Sequence, residues 1–91
     1  MERKIIFVNK LNEVLKLAKP HLSVHYALGQ DITLKTGEEI FYQQTKGYSP
    51  YHEGEEYLVI ECESGHQYVR NITANSLAAI AEELFRFVVY K

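Results

Sequence analysis

The residues in this 91-residue chain that could do chemistry gather in its second half. Cys62 stands four positions before His66, with Glu61 and Glu63 on either side of the thiol. A cysteine becomes a nucleophile when a base lies within hydrogen-bond reach of it, so spacing alone does not make a pair. Leu58, Ile60 and Cys62 alternate with Val59, Glu61 and Glu63, and Ser64-Gly65 then reads as a two-residue hairpin turn before a returning strand over 66–72. That register sets Cys62 opposite Gln67, Glu61 opposite Tyr68, Ile60 opposite Val69 and Val59 opposite Arg70. Cys62 and His66 then face opposite sides of the hairpin, and the thiol reads as a small core residue. Leu58, Ile60, Cys62 and Val69 are expected to face the core, with Glu61, Glu63, His66, Tyr68 and Arg70 outward.

Other arrangements carry less. His21 and His25 have the four-residue spacing of a metal pair on a helix, but Pro20 and the alternation that follows it remove the helix. The carboxylates from Glu53 to Glu63 form a charge run of the kind that usually faces solvent; acid-base catalysis asks for one of them to be raised in pKa inside a cleft. The five glycines stand singly at turns, so no phosphate-cradling loop is present. The reading is therefore of a protein without catalytic, metal or cofactor-binding residues.

The elements that would position these residues follow from periodicity. Val8, Leu11, Leu15, Ala18 and Leu22 trace one helical face from about Arg3, which Pro20 stops near Ala18 or Lys19; a strand over 4–8 before a shorter helix capped by Asn9 is the alternative. Val24, Tyr26 and Leu28 alternate with His25 and Ala27 as a half-buried strand. Segments 32–34 and 40–42 flank Lys35-Thr36-Gly37-Glu38 and read as two strands joined by a turn. Thr36 with Glu39 also fits a capping box that would start a helix at Gly37 instead. Residues 45–55, with Gly47, Pro50 and Gly54, make a loop well above the usual four to six residues, and long ordered loops often carry function. Thr73 is placed to cap a final helix, with Ile72 and Leu77 as its hydrophobic staple. The apolar stripe of that helix, from Phe87 round to Phe85, covers about 160° of arc against the roughly 100° of a simple surface helix. It is wide enough to meet the sheet and also the first helix or a second subunit.

The expected fold is a single α+β domain over residues 1–91: a three- to four-stranded antiparallel meander flanked by an N-terminal and a C-terminal helix on one face. A net charge of -2 speaks against a dedicated nucleic-acid binder. The charge is nonetheless polarised. Residues 1–19 hold five bases against Glu2 and Glu13, whereas residues 31–63 hold eight acids against Lys35 and Lys46, a local balance of -6. The single cysteine cannot form an internal disulfide, and no apolar run approaches the twenty residues of a membrane span, so the cytosol is the expected compartment.

Tyrosine combines apolar area with a polar tip and is enriched at protein interfaces. The expected partner surface is therefore acidic and tyrosine-bearing: Tyr48, Tyr51, Glu53, Glu55, Glu56, Tyr57, Glu61, Glu63, Tyr68 and Arg70. The partner expected there is a protein, with no membrane, and a homodimer through the C-terminal helix is a further expectation. Two other functions compete: a nucleic-acid-binding accessory protein using the basic first helix with Arg70, and a small-molecule or nucleotide binder formed at a dimer interface.

The run His66-Gln-Tyr-Val-Arg-Asn-Ile-Thr-Ala-Asn-Ser-Leu-Ala-Ala-Ile-Ala-Glu-Glu-Leu resembles the C-terminal end of small phage and mobile-element accessory proteins of Gram-positive gut bacteria, in which a hairpin strand runs into a similar helix start. The resemblance covers roughly the last third of the chain. It implies a small accessory protein that binds and blocks a host or defence complex, an inhibitor of the anti-CRISPR kind, in which clustered carboxylates occupy a basic nucleic-acid channel. It implies no catalytic residue.

Overall fold

The computed structural model describes residues 2–90. In chain order these form α1 (Glu2–Ala18), β1 (Leu22–Leu28), a 3-10 turn (Gly29–Asp31), α2 (Gly37–Lys46), β2 (Glu56–Cys62), β3 (Gln67–Asn71) and α3 (Leu77–Tyr90). The strands make one antiparallel sheet in the order β1-β2-β3, a three-stranded meander in an α+β fold, as the sequence leads one to expect. Among the described residues no helix is long and apolar enough to cross a membrane.

α1 forms where the three-and-four spacing places it and buries Val8 and Leu15. Its last turn closes with the Lys19 amide on the Leu15 carbonyl at 2.7 Å, one residue before Pro20 removes the next donor. Val24 and Tyr26 of β1 pair with Ile60 and Leu58 of β2. Their side chains join Val8, Leu15, Leu22, Ile72, Ile80 and Leu84 in one core cluster, so α1 and α3 lie on the same face of the sheet. The outer edge of β1 is partly covered, because Asn12 Oδ1 accepts the Val24 amide at 2.9 Å.

Four expectations are corrected. Segments 32–34 and 40–42 are not strands: the capping box prevails and residues 37–46 are helical. Thr36 Oγ1 accepts the Glu39 amide at 3.1 Å while Glu39 Oε1 accepts the Thr36 amide at 3.0 Å. The left-handed Gly47 (φ 83) ends α2, its amide bonded to the Gln43 carbonyl.

The hairpin is shifted by one residue. Its loop is three residues long rather than two: the Cys62 amide donates to the His66 carbonyl, the Gly65 amide donates to the Cys62 carbonyl, and Gly65 takes a φ of 91° that only glycine adopts cheaply. Glu61 therefore opposes Gln67, Ile60 opposes Tyr68 and Val59 opposes Val69. A one-residue slip moves every β3 side chain to the other face. Tyr68, expected outward, lies on the helix side with its ring 4.9 Å from that of Phe87. Val69 joins Val59 on the opposite face, and Cys62 and His66 stand directly across from one another.

Val59, set opposite the outward Arg70 in the expected register, is buried, so both faces of β2 are covered. Lastly, α3 starts at Leu77 rather than after Thr73. Ser76 Oγ accepts the Ala79 amide at 3.2 Å, and Thr73 Oγ1 instead accepts the Glu56 amide at 2.9 Å.

Candidate interaction surface

The face of the sheet away from α1 and α3 carries Tyr57, Val59, Glu61 and Gln67, and a helix with a buried carboxylate covers part of it. Glu39, at the third position of α2, is only 9% exposed. Four donors converge on it. The amides of Lys35 and Thr36 each donate to Oε1 at 3.0 Å, Gln67 Nε2 donates to Oε1 at 3.2 Å and reaches Oε2 at 3.5 Å, and the Tyr51 hydroxyl donates to Oε2. Burial alone would raise the Glu39 pKa, but the Tyr51, Thr36, Lys35 and Gln67 hydrogen bonds outweigh it and hold the carboxyl below its ordinary 4.5. Burial and the bond to this carboxylate raise Tyr51 in turn. An ionised carboxylate with its lone pairs filled has no proton to give and no free site to take one. Its role is to fasten α2 to β3, which Gln67 completes by donating to the Thr33 carbonyl at 2.8 Å.

The loop 47–55 is held from beneath. The Tyr51 and Tyr57 rings meet edge to face at 5.4 Å, and Tyr57 Oη accepts the His52 amide at 2.9 Å. Gly29 passes so close under His52 that a Cβ there would sit 2.0 Å from the His52 carbonyl oxygen. The Gly29 amide also donates to the Glu55 carbonyl at 3.0 Å.

A second carboxylate clamp lies on the helix side. Glu56 accepts from Lys4 Nζ at 2.9 Å and from Tyr26 Oη at 2.6 Å. Its burial opposes ionisation, yet the Tyr26 and Lys4 bonds and the lysine charge hold its pKa below 4.5. Burial first, and then the bond to Glu56, push Tyr26 up to about 12.

The ten residues expected to form a partner surface divide accordingly. Tyr57 is buried, Tyr51 is half-buried on Glu39, Glu56 is tied to Lys4 and Tyr26, and Tyr68 packs on Phe87. Glu55 accepts from Asn71 Nδ2 at 3.3 Å and Glu61 accepts from Lys35 Nζ at 2.9 Å. Arg70 is exposed, 3.9 Å from Glu83. Tyr48, Glu53 and Glu63 are exposed.

Two exposed residues of α2 escaped the strand reading, Ile40 and Phe41. α2 is inverted relative to an ordinary surface helix: its buried residue is Glu39, while Ile40 is 41% and Phe41 65% exposed. The Tyr42 ring meets Tyr48 edge to face at 5.8 Å, and a hydrogen bond with the Tyr48 hydroxyl raises the Tyr42 pKa. Glu38 is exposed on the first turn of the same helix. The result is an aromatic patch with a carboxylate at its border. The capping box was the signal that could have found it, since helical spacing from Gly37 separates Glu39 from Phe41 by 200°.

Cys62 borders an open groove of about 630 Å³ with Lys16, His21, Glu61 and Glu63, and its sulfur hydrogen-bonds to no imidazole among the described residues. No group of three or more His, Cys, Asp or Glu among the described residues is placed to hold a metal ion. No family model, no curated protein and no solved structure matches the chain.

Proposed function

We propose that this protein is a non-enzymatic protein-binding module, and that its contact surface is the exposed side of α2, with Ile40, Phe41 and the adjoining Tyr48, bordered by the carboxylate of Glu38. The observation that carries the reading is the inverted helix. Exposing two large apolar side chains gains nothing for the isolated fold, whereas a partner that covers Phe41 would recover about 1.5–3 kcal/mol from that side chain alone. Aromatic anchors bordered by charge are the usual anatomy of an interface hot spot.

The inhibitor role implied by the resemblance of residues 66–84 belongs to the same proposal. A basic channel in a host or defence complex is the complementary partner for exposed acids grouped with aromatic anchors. The basic first helix supports a nucleic-acid reading less well, because Lys4 is taken up by Glu56 and the carbonyls of Ile72 and Thr73.

The test is affinity capture from a host lysate, followed by titration with the purified partner. Phe41→Ser and Tyr48→Ser are each expected to weaken the complex by at least about tenfold. Capture that survives both substitutions at undiminished affinity, or no partner at all, would overturn the proposal.

A further inference from the structure

A second exposed apolar surface lies on the opposite side of the molecule, on the outer face of the α1-α3 layer. Leu17 is 88% exposed and Phe85 68%, and Ile6, Val14 and Val89 accompany them. Each lies on the side of its helix away from the core residues Val8, Leu15, Ile80 and Leu84.

α1 and α3 run parallel. Arg3 and Lys4 share one surface cavity with Ser76, Leu77 and Ala78, and Lys19 shares another with Phe87 and Val88, so both helices begin at one end and finish at the other. Their outer stripes have the same spacing. Ile6, Lys10, Glu13 and Leu17 step along α1 as Ala78, Glu82, Phe85 and Val89 step along α3, and the shared cavities set the two rows at the same level.

We infer that this face pairs with a second copy of the chain, about a two-fold axis parallel to the helices, so that α1 of one copy lies on α3 of the other. Charge complementarity selects this occupant. The arrangement sets Lys10 against the level of Glu82 in the other copy and Glu13 against the level of Arg86. The same operation lays Leu17 on Val89 and Val14 beside Phe85, covering the most exposed apolar side chains of both copies. A two-fold interface is isologous, so each complementary pair occurs twice. This surface is separate from the α2 patch of the proposed function, and either proposal can fail without the other.

Sedimentation velocity of the purified chain over a concentration series tests the inference. The wild type is expected to be dimeric. Leu17→Glu and Phe85→Glu are expected to be monomeric with unchanged far-ultraviolet circular dichroism, since both side chains are exposed. Lys10→Glu or Glu82→Lys alone is expected to loosen the dimer roughly tenfold by placing like charges together twice. The double reversal K10E/E82K restores opposite charges and is expected to return the affinity to within a few-fold. A wild type that stays monomeric throughout, or a dimer indifferent to Leu17→Glu and to the charge reversals, would overturn it.

Discussion

Glu39 shows how a single side chain can be both a cap and a bolt. Its carboxylate finishes the first turn of α2 and also ties that turn to Tyr51 and Gln67, which belong to the loop and to β3. Removing it orphans several donors at once, and unpaired buried groups cost more than their hydrogen bonds contributed. Glu39→Ala is therefore expected to lower unfolding stability by about 2–4 kcal/mol, read from the urea midpoint at constant slope. Tyr51→Phe, which removes one donor and keeps the ring on Tyr57, is expected to cost about 1–2 kcal/mol. If the two losses simply added in the double variant, the idea that they act through one network would be wrong. Sequence alone gave Tyr51 and Tyr57 to the surface because tyrosine suits an interface. It could not show that a buried carboxylate and a backbone amide were waiting for their hydroxyls.

At the scale of elements, the ends of helices and hairpins decided more than their middles. The caps of α3 make this testable. Ser76→Ala is expected to destabilise by about 1 kcal/mol and to speed hydrogen exchange at the Ala79 amide. Thr73→Ala is expected to leave that amide unchanged, because its hydroxyl serves Glu56. The reverse pattern of exchange would return the cap to Thr73. Periodicity made α1, β1 and α3 legible, since apolar spacing in each agrees with the face it buries, and it located the two strands of the hairpin without their register. It failed where two local signals competed. Ile40-Phe41-Tyr42 has the composition of a strand, but the Thr36-Glu39 box closes a helix over it, and the apolar residues that argued for a strand end in solvent. At the hairpin, Ser64-Gly65 fits a two-residue or a three-residue loop equally well, and composition does not separate them. The choice fixed the face of every β3 residue, which is why Tyr68 and Val69 exchanged places.

For the molecule as a whole, two clamps hold the layers together, Glu39 on one side of the sheet and Glu56 on the other, and both carboxyls have folded pKa values below 4.5. Groups depressed in this way contribute stability that is present above the unfolded value and is lost as the pH falls through the folded one. Thermal midpoints are therefore expected to decline on acidification below about 4.5, and Glu39→Gln or Glu56→Gln should flatten that decline. An acid limb unchanged in both variants would remove these groups as its source. At the alkaline end the sign reverses: Tyr26, raised from 10.0 to about 12, contributes stability that is complete below 10 and is lost as the pH rises through that interval. The Glu56 clamp also sets an order on biosynthesis. Lys4 Nζ donates to Glu56 and to the carbonyls of Ile72 and Thr73, 68 and 69 positions along the chain. While the polypeptide is on the ribosome, the first helix emerges several seconds before these acceptors, at about 5–20 residues per second. Its apolar stripe must wait for strands not yet made, so an element that leaves the exit tunnel before the sheet does is secured only after it.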